Sequence, residues 1–287
     1  MKSMELITNK LQLWAKRHNI PLVGSETIRG EKNYCKKLED NLYLPLTNEV
    51  RKMIDAGDGG ELKSSGMHKS KMTALHSSSA IGVNIFQYWM DKEISIIASA
   101  CGFCKETTQI SESIHFEEKF IISGITGNSP NIDVVIKNKK DEKIKAFAIE
   151  CKYTEAYRNK EQSGIAKQYL DADIWKDLPN LQELATQISL NDQENKYLHR
   201  AQLVKHILGL NTKYKSKSAF KLLYLWYDVL GEDGAKHREE IEKFKKVAIA
   251  DKINFISITY QELIIKLYQK HYGNHKNYID YLASRYL

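Results

Sequence analysis

Residues 130 to 155 read PNIDVVIKNKKDEKIKAFAIECKYTE. Ile132, Val134, Val135 and Ile136 form a short β-branched run, and Ala146, Phe147, Ala148 and Ile149 form a second. Lys137 to Glu142 between them has the polar composition of a hairpin connection, so the two runs are expected as adjacent antiparallel strands. Side chains alternate across a strand. Glu150 and Lys152 therefore project to one face, while Ile149 and Cys151 project to the other and Cys151 enters the core. Pairing through a loop of this length brings Asp133 beside Glu150 on the first face.

Two carboxylates crowded together without a cation repel each other. A hard divalent ion such as Mg²⁺ removes the conflict, taking one or two carboxylates together with waters and phosphate oxygens. Mn²⁺ is expected to substitute. Lys152 then stands beside the attacking water, where it lowers that water's pKa, orients it, or neutralises charge developing on the phosphate. The parts suit metal-dependent phosphodiester cleavage. Acidic-x-lysine triplets also occur as solvated strand ends with a cross-strand ion pair. The apolar strand before Glu150 and the place of Asp133 just after Pro130-Asn131 favour the site.

A third acid lies upstream. IHFEEKFIISG, residues 114 to 124, reads as another strand with Phe116, Phe120 and Ile122 on one face. Glu117 falls on the opposite face and Glu118 on the apolar-patterned one, so Glu117 is the better third metal-proximal carboxylate.

This pattern resembles the PD-(D/E)XK nuclease superfamily, the restriction-endonuclease-like fold. The resemblance carries over as Pro130-x-x-Asp133, then Glu150-x-Lys152, with Glu117 as the upstream acid. Pro130 and Asp133 are separated by two residues where the family motif has its Pro and Asp adjacent. Further similarity, to bacterial restriction-endonuclease-like proteins of type II, extends to SSSAIGVNIFQYW (77–89), KYTEAY (152–157) and HRAQL (199–203), and covers roughly residues 75 to 210. It implies an α/β fold with a central mixed β-sheet flanked by helices, preceded here by an N-terminal helical extension. It also implies a nuclease in which Asp133, Glu150 and the Cys151 carbonyl hold Mg²⁺, Lys152 positions the water, and Glu117 binds a second metal or completes the shell.

The flanking segments fill out the architecture. Residues 1 to 70 are expected as a helical, basic extension, with helices near 3–18 and 47–56 and a glycine-rich break at 57–60; residues 71 to 287 form the nuclease domain, or continue the first part as one domain. The stretch MHKSKMTALHSSSA (67–80) is polar and basic, and could order on DNA. A long helix is expected over 77–100, with Ile81, Ile85, Tyr88 and Trp89 as packing residues and Ser78 and Asn84 in capping or buried polar roles. Further helices are expected near 160–171, 179–191 and 194–209. In the last, His199, Gln202 and His206 share a face, and Gln202 is placed to hold the water or a phosphate. Glu155 is a candidate accessory acid. FKLLYLWYDV (220–229) and INFISITY (253–260) read as strands joined through a charged helix, a parallel crossover that widens the sheet. A tyrosine-rich amphipathic helix follows.

The chain has 287 residues, a net charge of +7 and mean hydropathy of −0.48. No apolar run approaches the roughly 18 residues of a membrane span, and the amphipathic N-terminal segment is not an export signal. The cysteine pattern fits a reducing cytoplasm, and Cys101-Gly-Phe-Cys104 lacks a second pair at zinc-site distance. Basic clusters at 63–71, 138–145 and 213–221 are solvated surface or phosphate contacts. The motif points to phosphodiester hydrolysis, and charge and resemblance point to double-stranded DNA. One such site cuts one strand, so a double-strand break needs a homodimer or two nicks, and a restriction enzyme would have a cognate methyltransferase. The alternatives are a non-catalytic DNA-binding protein and a structure-selective resolvase or repair nuclease.

Overall fold

The computed structural model describes residues 3–25, 32–65, 68–125, 129–158, 162–189 and 191–287. Helix α1 (Ser3–Arg17) is followed by a two-residue pair, β1 (Leu22–Val23) and β2 (Tyr34–Cys35), then α2 (Asn48–Ala56), α3 (Ser78–Phe86) and α4 (Ile94–Ala100). Three long strands come next: β3 (Ser111–Lys119), β4 (Asn131–Asn138) and β5 (Ala146–Lys152). A second small pair, β6 (Gln162–Ser163) and β7 (Asn191–Asp192), brackets α5 (Lys167–Leu170) and α6 (Pro179–Gln187). The chain continues through α7 (Arg200–Tyr214), β8 (Phe220–Trp226), α8 (Glu232–Ala250), β9 (Phe255–Thr259) and α9 (Tyr260–Tyr286).

The central sheet has five strands in the order β3-β4-β5-β8-β9. β3, β4 and β5 pair antiparallel, and β8 and β9 add parallel through the α8 crossover. This is the mixed sheet flanked by helices that the sequence implies. Alternation along each strand divides the core in two. Val134, Ile136, Phe147, Ile149, Cys151, Leu223 and Leu225 pack against α1 to α4 and α9. Val135, Ala146, Ala148, Leu222, Tyr224 and Trp226 pack against α6, α7 and α8. Cys151 thus lies on the first side, and Glu150, in step with Ala146 and Ala148, on the α7 side.

Several expected elements are redrawn. The helix expected over 77–100 is two helices, because Gln87–Trp89 form a 3₁₀ turn and the chain bends before α4. Tertiary contacts override the helical pattern there: the Tyr88 ring stacks on Tyr278 of α9 at 3.9 Å, and Trp89 Nε1 donates to Tyr278 Oη at 3.1 Å. The helix expected near 160–171 is reduced to the four residues of α5 after the β6 strand, and residues 159–161 lie outside the described residues. The helix expected over 179–191 stops at Gln187, where Ser189 bridges back to Ile165.

The helix expected from 194 begins only at Arg200. The backbone N–H groups of Lys196, Tyr197 and Leu198 donate to the Glu240 carboxylate of α8 at 2.8–2.9 Å. That binds residues 196–198 in an extended loop and leaves His199 at the helix N-cap. The stretch from Met72 to Ser77, expected as a polar arm, is buried. Lysines of the basic clusters tie down loops: Lys69 donates to the Lys36 carbonyl at 3.0 Å, Lys145 to that of Lys140 at 2.8 Å and Lys217 to that of Asp177 at 2.7 Å. Among the described residues no helix is long and apolar enough to cross a membrane.

Candidate active site

The site lies where the N-terminal end of β4 meets the C-terminal ends of β3 and β5. Val134 pairs with Ile149, so one step further along the antiparallel register Asp133 falls opposite Glu150. The Cys151 N–H donates to Asp133 Oδ2 at 2.7 Å, which locks that step. On the other flank, Phe116 pairs with Val134 and Glu118 with Ile132, which sets Glu117 opposite Asp133. Three carboxylates from three neighbouring strands are thereby brought in line.

Glu117 reaches this position by an irregularity that alternation does not predict. Its φ is +52°, in the left-handed region that side-chain-bearing residues seldom occupy. The twist there sends Phe116 to the α1–α4 side of the sheet but Phe120 and Ile122 to the α7 side, so the three do not share a face as expected. Glu118 turns away from the cleft and pairs with Lys137 at 3.0 Å. A Cβ built on Gly57 would lie 2.9 Å from Glu117 Cβ, so the glycine lets the loop after α2 close down on the acid.

Glu150 is buried and bracketed by two bases. Lys152 Nζ lies 2.7 Å from Glu150 Oε1, and His206 Nε2 of α7 lies 2.8 Å from Oε2. Burial alone would raise the Glu150 carboxyl, but Lys152 and His206 outweigh it and draw it down to about 2. Lys152 is held positive: burial works against its charge, and Glu150, Asp133 and Glu155 overcome that.

The other two acids go the opposite way. Burial, with repulsion from Glu61 and Glu150, pushes Glu117 up to about 7. Burial, with repulsion from Glu150 and Glu117, holds Asp133 well above the usual carboxylate range. This corner of the site is short of positive charge.

Glu117 and Asp133 open onto a cleft that Gln202, His206, Lys205 and Ser78 also line. His199 lines the same cleft and a smaller cavity beside Lys152, Glu155 and Arg158. Its Nε2 sits 2.9 Å from Ser163 Oγ, and burial followed by Lys152 lowers its pKa. Glu155 accepts the Tyr153 N–H at 3.0 Å on that side, away from Asp133. The cleft also contains Glu61 and Lys205, which sequence reading did not select. Glu61 follows the glycine-rich break, and Lys205 sits one turn beyond Gln202, so only tertiary closure marks them.

Among the described residues, no three His, Cys, Asp or Glu side chains converge as they stand to hold a metal ion. Glu150 is occupied by Lys152 and His206, and Asp133 Oδ2 by the Cys151 N–H. The donor set still suits a hard divalent cation. Glu117 and Asp133 are half-buried oxygen acids that face one cleft, each raised by burial and then by neighbouring carboxylates, and a cation held there would offset that carboxylate repulsion.

Residues 9–287 match the model of a family described as REase-ARP, Restriction Endonuclease associating with ARP. No curated protein and no solved structure matches the chain.

Proposed function

The chain belongs to the family of restriction endonucleases associating with ARP, and on that premise we propose that it is a metal-dependent DNA endonuclease of a restriction or related defence system. The observation that carries the reading is the alignment of Glu117, Asp133 and Glu150 across three strands, with Lys152 Nζ 2.7 Å from Glu150. A family description alone names a class of enzyme. An aligned trio of acids with an adjacent half-buried cation gives that class a place to act.

Asp133, Glu117 and Glu150, with the Cys151 carbonyl, would hold Mg²⁺, and Mn²⁺ would substitute. When bound, the ion supplies Lewis-acid polarisation of the phosphate and offsets the charge that builds on it. Lys152, held protonated, orients the attacking water and stabilises negative charge at the phosphorus. Gln202 donates to a phosphate oxygen or to the water from the α7 wall. His206 keeps Glu150 ionised and fixed in direction. The substrate is double-stranded DNA, and cutting both strands takes a homodimer or two sequential nicks. An ARP partner follows the family description, and a cognate methyltransferase and action in the cytoplasm would go with a restriction system.

A second reading, DNA binding without catalysis, draws on the closed arrangement around Glu150, whose two oxygens already face Lys152 and His206. Incubation with supercoiled and linear DNA in Mg²⁺ or EDTA separates the two. Metal-dependent cleavage by the wild type, absent in Asp133→Ala and Lys152→Ala, supports the nuclease. Intact DNA under all metals, with binding unaltered in both variants, supports the second reading.

A further inference from the structure

The carboxylate cleft, about 480 Å³ in volume, is lined unevenly. Its acids, Asp58, Glu61, Glu117 and Asp133, come from the loop after α2 and from the strands. Among the described residues that line it, the one lysine or arginine is Lys205 of α7. Lys205 follows Gln202 by three positions, so the two side chains are neighbours on the helix surface, about 4.5 Å apart along its axis.

The acids around the cleft have taken other cations. Lys119 pairs with Asp58 at 2.7 Å, Lys71 with Glu61 at 3.4 Å and Lys152 with Glu150 at 2.7 Å. Lys205 is half-buried, yet among the described residues it forms no ion pair and no hydrogen bond. Its ammonium rests 5.3 Å from the centre of the Tyr169 ring of α5. Burial lowers its pKa, with no acid offsetting the effect. Lys152, by contrast, is held positive by Glu150, Asp133 and Glu155. Those carboxylates therefore do not serve Lys205 as a counter-ion. A partly desolvated ammonium without one is costly, and the missing partner is an anion that enters from outside. In a cleft that also contains Asp133 and Gln202, a phosphate of a nucleic-acid strand is that anion, taken by the lysine as a point charge.

We propose that Lys205 is a substrate-contact residue that takes a backbone phosphate next to the scissile one, leaving the scissile phosphate to Lys152 and Gln202. The two lysines then fix two points on one strand and set its path along α7. This rests on the reading of the cleft as the DNA site, and it does not depend on catalysis. Because the contact is to the backbone, it is the same for any duplex sequence.

The test uses the full chain and measures binding of a short fluorescein-labelled duplex in EDTA, between about 50 and 200 mM salt, so that cleavage plays no part. Lys205→Met keeps the apolar stem over Tyr169 and removes the charge, and Lys205→Arg keeps both. Lys243→Met, which removes an α8 lysine paired with Glu239 at 2.8 Å, is the control. Each variant is first checked for wild-type thermal unfolding. Lys205→Met should weaken binding about tenfold and make the slope of log K against log salt shallower by about 0.9, the loss of one phosphate contact. Lys205→Arg and Lys243→Met should bind as wild type does. Unchanged affinity and slope in Lys205→Met, an equal loss in Lys205→Arg, or no binding by the wild type overturns the proposal. Inorganic phosphate added at constant ionic strength should leave wild-type binding unaltered, and competition that Lys205→Met abolishes would assign the lysine to a free anion instead. Cleavage by the wild type in Mg²⁺, measured in parallel, reports on the nuclease reading separately. Binding that depends on Lys205 without any cleavage overturns that reading alone, and cleavage with binding indifferent to Lys205 overturns the contact alone.

Discussion

His206 Nε2 stands 2.8 Å from Glu150 Oε2, and both side chains are 1% exposed. A buried carboxylate this close to its neighbours' strand ends is stable only while its partners stay in place. Replacing His206 with Leu leaves Glu150 with Lys152 alone. The expected cost is about 2 kcal/mol of unfolding free energy, read from urea denaturation, whereas His206→Gln, which keeps a donor, loses less than half as much. DNA cleavage should fall in the Leu variant and be largely kept in the Gln variant. Equal stability in all three proteins would show that the contact contributes nothing.

Glu117 combines a left-handed backbone with a carboxyl pushed up to about 7 by burial and by Glu61 and Glu150. Both features work against folding near neutral pH, the mark of a residue retained for its chemistry. Glu117→Asn, which tolerates positive φ and carries no charge, should raise stability by about 1 kcal/mol while reducing cleavage at least tenfold. Differential scanning calorimetry beside an activity assay checks the pair of effects. A variant that is both less stable and fully active contradicts it.

The same repulsion predicts a response to cations. Mg²⁺ that binds the folded chain and not the unfolded one adds about 2.7 kcal/mol at a concentration of 100 times Kd. Thermal unfolding of wild type should therefore move up as Mg²⁺ is titrated, and that of Asp133→Asn should not. An identical shift in both proteins would place the cation elsewhere.

How much of this was legible in the residues depends on the kind of order involved. The strands around Asp133 and Glu150, and the β8-α8-β9 crossover, follow from period-two apolar runs and their separation, which are local properties. The bend at Gln87–Trp89 and the late start of α7 are imposed by α9 and by Glu240 of α8, so no window of local sequence contains their cause. Glu117 is the instructive case. Strict alternation selected it over Glu118, yet the structure delivers it through a left-handed residue that breaks the alternation for Phe120 and Ile122. Glu61 and Lys205 enter the cleft only through tertiary closure.

His237 supplies a pH prediction away from the carboxylates. Tyr157 Oη donates to the Tyr227 carbonyl, so it accepts from His237 Nδ1–H at 3.2 Å, while Tyr224 Oη donates to Nε2 at 3.0 Å. The ring is neutral, and burial followed by Arg238 depresses its pKa from 6.5 to about 3. Because the folded state binds this proton less readily than the unfolded chain, the contribution is complete above pH 6.5 and declines as pH falls toward 3. Across that window the slope from one proton approaches 1.4 kcal/mol per pH unit, about the most a single group can give. His237→Gln should flatten the stability profile by that amount between pH 4 and 6, as read from denaturation curves at fixed pH. An unchanged slope would mean that the ring is protonated in the fold.

The central claim is that Asp133, aligned with Glu117 and Glu150 beside Lys152, makes phosphodiester cleavage depend on a divalent cation. Its most direct test is the single-turnover rate of supercoiled DNA cleavage in Mg²⁺ for the wild type and for Asp133→Asn, with both proteins shown to bind DNA equally. The account predicts cleavage by the wild type that EDTA abolishes, and a loss of about a thousandfold or more in the variant. Equal rates in the two proteins, or cleavage by the wild type that persists in EDTA, would contradict it.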